Sequence, residues 1–306
     1  MINALAEALQ FTFMRHALLA GLLVSVACGI IGTYVVVKRI VFISGGIAHA
    51  AYGGIGLGYY VKYMVVPVLF AGSAAARDPR PGYWPLLGAI LFSLLAAALM
   101  GHIQRRTRQR ADTIIGVLWA IGMAIGIVLV DLTRGYKVDL MSYLFGSILA
   151  VERLELLVIA GLDVLVVALV TLFYKELLAV SFDETFATVQ NVPVGGIYAL
   201  LLGMIALTVV MLMRVVGLIL VIAMLTIPPA ISGRLVRGIV PMMALSALLG
   251  VAFTTLGLWL SYAWNLTSGA SIILVAGTGY LLSLLATRRG AGPSAGPRLG
   301  ATLNRR

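Results

Sequence analysis

The sequence predicts an all-α, polytopic bundle that crosses a lipid bilayer eight or nine times. Three observations predict it. Of the 306 residues, 61% are apolar and only 11% charged, with a mean hydropathy of +1.07, a balance that a water-facing surface does not accommodate. The apolar residues gather into runs of about 20, the length that crosses a ~30 Å hydrocarbon core at ~1.5 Å rise per residue. Those runs lack the ~10-residue alternation of barrel strands, which leaves helices, whose backbone groups are satisfied within the segment.

The runs fall at about 17–37, 47–66, 84–103, 113–132, 154–173, 195–213, 217–231, 240–263 and 269–286. Residues 2–16 suit a short interfacial helix ahead of the first run. The first ten residues carry no Lys or Arg and no small-residue cleavage site follows, so a removable signal peptide is not expected. The second run lies in SGGIAHAAYGGIGLGYY, Ser44 to Tyr60, where Gly46, Gly53, Gly54, Gly56 and Gly58 allow close approach between helices. A Pro- and Gly-bearing connection at 67–83 follows it. Between the fourth and fifth runs, DLMSYLFGSILAV from Asp139 to Val151 is too short to span and too apolar for an open loop. It reads as a re-entrant or surface-lying segment, tolerated only if packed in protein or lining a cavity. The seventh run ends in Pro228 and Pro229, which predicts a helix broken there and followed by a short amphipathic helix, with a plain loop as the alternative. The Gly-, Pro- and Arg-rich tail is expected to be disordered, dividing the chain into a transmembrane domain, 1–288, and a basic tail, 289–306.

Net charge is +11, yet the basic residues sit in short clusters between the runs and not along one face, so nucleic acid is not the expected partner. They read as topology signals and contacts with anionic lipid headgroups. If Lys38 and Arg39 are cytoplasmic, alternation also puts Arg105, Arg106, Arg108 and Arg110, then Lys175, then Arg234 and Arg237, then Arg288 and the tail inside. The N-terminus is then outside and the C-terminus in the cytoplasm.

No lysine follows a glycine, so the chain has no phosphate-cradling GxxxxGK[ST] loop. Any ATP-driven motor is therefore another chain. Asp163 is the one acidic residue near the middle of an apolar run; it faces an aqueous path or is a hydrogen-bonded structural group. His49, early in the second run, is either a transient ligand for Zn²⁺, Mn²⁺ or Fe²⁺ or an interhelical hydrogen-bonding group. His102 adjoins a basic helix end and is expected to be solvated, while His16 sits at the outer mouth. The single cysteine, Cys28, lies within the first run.

Five ordered blocks carry a resemblance over about Met14 to Leu285. They are GLLVSVACGIIGTYVVVKR with FISGGIAHA; DTIIGVLWAIGMAIGIVL from Asp112; DLMSYLFGSILAV from Asp139; LLAVSFDETFATVQNVPV from Leu177; and GLILVIAMLTIPPAISGRL from Gly217. With them the chain resembles the membrane permease subunits of ATP-binding-cassette importers for zinc, manganese and iron. The resemblance implies a type II importer fold in a prokaryotic cytoplasmic membrane and a homodimer around a central path. It also implies cytoplasmic ATPase subunits and an extracytoplasmic metal-binding protein that delivers the ion. The divalent ion is cargo and no cofactor is held permanently. Metal ligands are then expected at His49, followed by Asp163 and Asp139. The segment of about 228–241, with Pro228, Pro229, Ser232, Gly233, Arg234 and Arg237, is expected to dock on the ATPase. Two alternatives stand beside it: an ABC permease for a metal chelate such as haem, a siderophore or cobalamin, and a proton-coupled secondary transporter with Asp163 as carrier.

Overall fold

The computed structural model describes residues 10–69, 82–106, 111–133 and 141–290. All nine apolar runs are helices long and apolar enough to cross a membrane, and no strand occurs among the described residues. They are α1 (Thr12–Val37), α2 (Val41–Tyr60), α3 (Trp84–Arg106), α4 (Ala111–Asp131), α6 (Arg153–Leu172), α9 (Val194–Val216), α10 (Leu218–Leu235), α11 (Ile239–Trp264) and α12 (Ser268–Gly290). Among the described residues, short helices α5 (Met141–Phe145), α7 (Tyr174–Phe182) and α8 (Glu184–Val189) lie between them. The expected interfacial helix at 2–16, the tail from 291 and Asp139 lie outside the described residues, except that Thr12 onward already belongs to α1.

Two groups of helices share one bundle. In the first, α2 is enclosed by α3 and α4; in the second, α1 is enclosed by α10, α11 and α6, and α9 packs against both groups. Close packing, which lipid cannot supply, is what favours helix association in a membrane, and the glycines of α2 provide it. A Cβ on Gly54 would run into the Gly88 backbone of α3, and one on Gly56 into the Gly126 backbone of α4. α2 starts at Val41, earlier than hydropathy predicts, because Ser44 and two glycines lower the apolar signal without interrupting the helix. It is prolonged by a π-helical turn, Val61–Val65, and a last turn, Val66–Leu69.

Of the segment expected to be re-entrant or surface-lying, residues 141–151 are described; they form a short helix and a turn with Ile148 and Val151 buried and Phe145 exposed. After α5 the chain reverses at Gly146 (φ 63°), then forms a single 3₁₀ turn whose Ile148 is buried. Gly146 lies against Gly217, the one residue between α9 and α10 (φ 83°). Both adopt left-handed conformations that favour glycine, and a side chain on either would collide with the other's backbone.

The expected break at Pro228 and Pro229 is not found. α10 runs through both prolines to Leu235, and the chain turns instead around Gly238 (φ 102°). Interior prolines remove two helix bonds and would cost about 3 kcal/mol each in an isolated helix. Inside a bundle, neighbours take over the freed groups. The carbonyl of Leu225, which loses its donor at Pro229, lies against Gly32 of α1, where any side chain would collide with it.

Gly54→Leu is expected to destabilise the purified protein by about 2 kcal/mol or more, because a core side chain that cannot be accommodated forces the backbone apart. Gly161→Leu, at a position facing open space, is expected to leave thermal unfolding in detergent unchanged.

Candidate functional site

His49 lies on α2 where the helix meets α4. It is 7% exposed, and its ring stacks on Trp119 with centroids 3.8 Å apart and planes 26° apart. Its Nδ1 is 2.8 Å from the Gly45 carbonyl of its own helix. A carbonyl only accepts, so Nδ1 carries the proton and Nε2 keeps its lone pair, the arrangement of a neutral imidazole ligand. The close approach that puts His49 against Trp119 is made one turn later, where Gly53 abuts the Gly122 carbonyl. Sequence reasoning found the histidine but missed Trp119, since nothing local pairs residues on different helices.

Asp163 lies on α6, in the other half of the bundle. It is also 7% exposed, and neither carboxylate oxygen has a hydrogen-bond partner. The structure does not bring His49 and Asp163 together: His49 packs towards α4, and Asp163 lies in α6, the helix that packs on α1 and α9. Among the described residues no three His, Cys, Asp or Glu side chains cluster as a ready-made metal site. His102 is exposed, and His16 bonds through Nδ1 to the Val151 carbonyl at 3.1 Å.

The end of the bundle that carries Lys38 and Lys175 presents a second kind of surface. Asp183 caps α8, its carboxylate accepting from the backbone N–H groups of Thr185 and Phe186 at 2.8 and 3.0 Å. Around this cap Phe182, Phe186 and Val189 are 68%, 55% and 76% exposed. Lys38, from the α1–α2 link, holds the segment in place: its Nζ donates to the Val180 carbonyl at 2.8 Å and to Glu184 at 2.6 Å. Of the residues expected to dock on a motor, Pro228, Pro229 and Ser232 are buried inside the bundle, whereas Gly233, Arg234 and Arg237 are exposed. Arg234 donates to the Tyr280 hydroxyl at 3.1 Å and lies over its ring.

At the opposite end, Glu152 and Glu155 cap α6 as a reciprocal box, and Glu155 pairs with Arg214 of α9 at 3.0 Å. A cavity of about 390 Å³ lies beside this pair, lined also by Tyr83 and Met211. The box was legible in Glu-x-x-Glu just before an apolar run, although the sequence analysis passed over it.

Residues 10–287 match the ABC 3 transport family. An uncharacterized membrane protein of Synechocystis sp. is 55% identical over 93% of this chain and 94% of its own length. The manganese transport system membrane protein MntC of Halalkalibacterium halodurans is 32% identical over 90% and 88%. Among solved structures, PsaBC from Streptococcus pneumoniae in complex with Fab superposes with a TM-score of 0.76 at 30% identity, covering 93% of this chain and 95% of that one. The chain belongs to the ABC 3 transport family.

Proposed function

We propose that this chain is the membrane permease subunit of an ATP-driven importer that passes divalent transition-metal ions, of the manganese, iron and zinc group, across a prokaryotic cytoplasmic membrane. It works as a homodimer with separate ATPase subunits and an extracytoplasmic binding protein that delivers the ion. Family membership and the manganese transport relative support the cargo class. The absence of any GxxxxGK[ST] loop from the sequence supports a motor on another chain.

The observation that carries the reading is the apolar surface around α8. Phe186 and Val189 on α8 and Phe182 at the end of α7 are exposed on helices too short to span, at the end of the bundle rich in Lys and Arg. Exposed apolar groups gathered at one place mark a protein or membrane contact, and the charged and polar residues Asp183, Glu184, Thr185 and Gln190 interleaved with them favour a protein partner over lipid. Positive charge favours the cytoplasmic side, where an ATPase resides, and the Lys38–Glu184 pair supports a common side for these two loops. In this reading α8 is the main docking element, with Gly233, Arg234 and Arg237 beside it. Pro228, Pro229 and Ser232 keep α10 continuous and act only from within. Displacement of the docked surface opens the dimer alternately to the two sides, and His49 offers Nε2 to the passing ion. A weak, transient ligand set suits conduction, because a tight site would trap its cargo.

Three measurements test this. In proteoliposomes holding the complete transporter, His49→Ala is expected to lower ATP-dependent uptake of ⁵⁴Mn²⁺ or ⁶⁵Zn²⁺ by roughly tenfold or more, since even outer-sphere partners of metal ligands cost about that much. Unchanged uptake would remove His49 from the path. Phe186→Glu is expected to abolish co-purification of the ATPase while the permease stays monodisperse; retention of the ATPase would move the docking site elsewhere. Thr188→Cys, in a Cys28→Ala background, is expected to react with an impermeant maleimide in inside-out vesicles and not in intact cells. The reverse pattern would invert the topology and sink the importer assignment.

A further inference from the structure

A groove of about 410 Å³ lies between α3 and α9, running from Leu94 to His102 on one helix and from Gly195 to Gly203 on the other. Ala98, Gly101, Gly195, Ala199 and Gly203 line it, so at these positions neither helix sends more than a methyl group across the gap. Ala97 and Leu202, 3% and 1% exposed, form its floor. Leu94, Ala98 and Ala199 are exposed at its rim, so it opens outwards from the bundle. Eight residues of helix rise about 12 Å, most of the depth of one leaflet, which is half of a ~30 Å hydrocarbon core. The helices are tied together at one end of the groove, where the Tyr198 hydroxyl donates to Gln104 Oε1 at 2.7 Å. That is the end of the bundle that carries Lys38, whose Nζ lies 5.2 Å from the Tyr198 ring centroid.

An apolar groove facing hydrocarbon stays dry, and its lining forfeits dispersion contacts unless something apolar fills it. Its tied end is cationic. His102 lines the groove and is exposed, and Arg105 and Arg106 close α3 within about 6 Å of it along the helix. Lys38 is already paired with Glu184 and adds no net charge there. We propose that this groove binds one anionic phospholipid, with an acyl chain lying between α3 and α9 and the headgroup phosphate drawn to Arg105 and Arg106. A trough without polar side chains along most of its length, ending in positive charge, is the complement of that molecule, and basic sites between membrane helices take anionic headgroups. A second copy of the chain suits the groove less well. Copies related by an axis along the membrane normal bring like ends together, so the same cationic helix ends would face and repel each other. The proposal rests on neither the cargo nor the motor.

The test is native mass spectrometry of the purified, delipidated full-length chain, titrated with dioleoyl phosphatidylglycerol or, as the zwitterionic control, dioleoyl phosphatidylcholine. One phosphatidylglycerol per chain is expected, bound roughly tenfold or more tighter than the control, as two cationic side chains at a membrane surface provide. Arg105→Gln with Arg106→Gln is expected to bring the two lipids within about twofold of each other. Ala98→Leu with Gly203→Leu fills the groove and is expected to weaken phosphatidylglycerol binding by roughly fivefold or more, through lost apolar burial. The leucines spare the fold, because Ala98 is exposed and a Cβ on Gly203 meets nothing within 4 Å, so thermal unfolding of the lipid-free variant is expected to match wild type. Equal affinity of the wild-type chain for both lipids overturns the proposal, as does an undiminished preference in the arginine variant. Phosphatidylglycerol binding within about twofold of wild type in the leucine variant also overturns it, and a shift from dimer to monomer in that variant would then assign the groove to a second copy.

Discussion

Backbone-to-backbone contact between helices that have no side chain in the way is the constraint on which the rest of this molecule depends. In lipid, apolar side chains gain little by leaving one hydrocarbon environment for another, so association rests on close packing and interhelical bonds. α2 answers with glycines on two faces: Gly54 and Gly58 turn towards α3, Gly53 and Gly56 towards α4. The partners are themselves small, Gly88 on one side and Gly122 and Gly126 on the other. This geometry brings α4 near enough for the His49 ring to stack on Trp119. A bulkier α2 would hold α4 away and leave the imidazole without its wall.

Polar groups at membrane depth are mostly settled within their own helix. Most hydroxyls bond back to their own helix: Ser25 to the Gly21 carbonyl, Thr33 to Gly29, Ser232 to Pro228 and Ser246 to Met242. His49 does the same through Nδ1. Such local bonds satisfy a donor without specifying a partner helix, so they are compatible with helices that move relative to one another. Asp163 makes no such bond: neither of its carboxyl oxygens has a hydrogen-bond partner, and its ionised form could only accept.

The nine spans were legible because a run of about 20 apolar residues has one physical explanation. The packed turn at Gly146 was legible for a related reason: an apolar segment too short to cross must be covered by protein. His49 and Asp163 were legible as costly groups at depth, whereas the wall of the His49 ring was not, since Trp119 is brought in by helix pairing that no local pattern records. The prolines misled for a physical reason. Rules for Pro228 and Pro229 come from helices in water, where a freed carbonyl is exposed and the helix bends or ends. In this bundle the Leu225 carbonyl is covered by Gly32, and the information that decides the matter lies almost two hundred residues away. The exposed aromatics around α8 were hidden by length, because six residues are too few for a periodic signal.

The link between the exposed apolar surface around α8 and His49 passes through Lys38. Its ion pair with Glu184 is not the strong part, since Glu184 is 59% exposed and surface pairs of this kind contribute about 0–1 kcal/mol. The firmer hold is the buried end of the same side chain, where Nζ donates to the Val180 carbonyl and lies 5.2 Å from the Tyr198 ring centroid. Only three residues, Lys38 to Ile40, separate α1 from α2, and Arg39 among them is already left-handed at φ 59°. A connection this short leaves little slack, so a displacement of α7 and α8 acts on both helices together. α2 carries His49, so the exposed apolar surface around α8 is tied to that buried group through a single side chain.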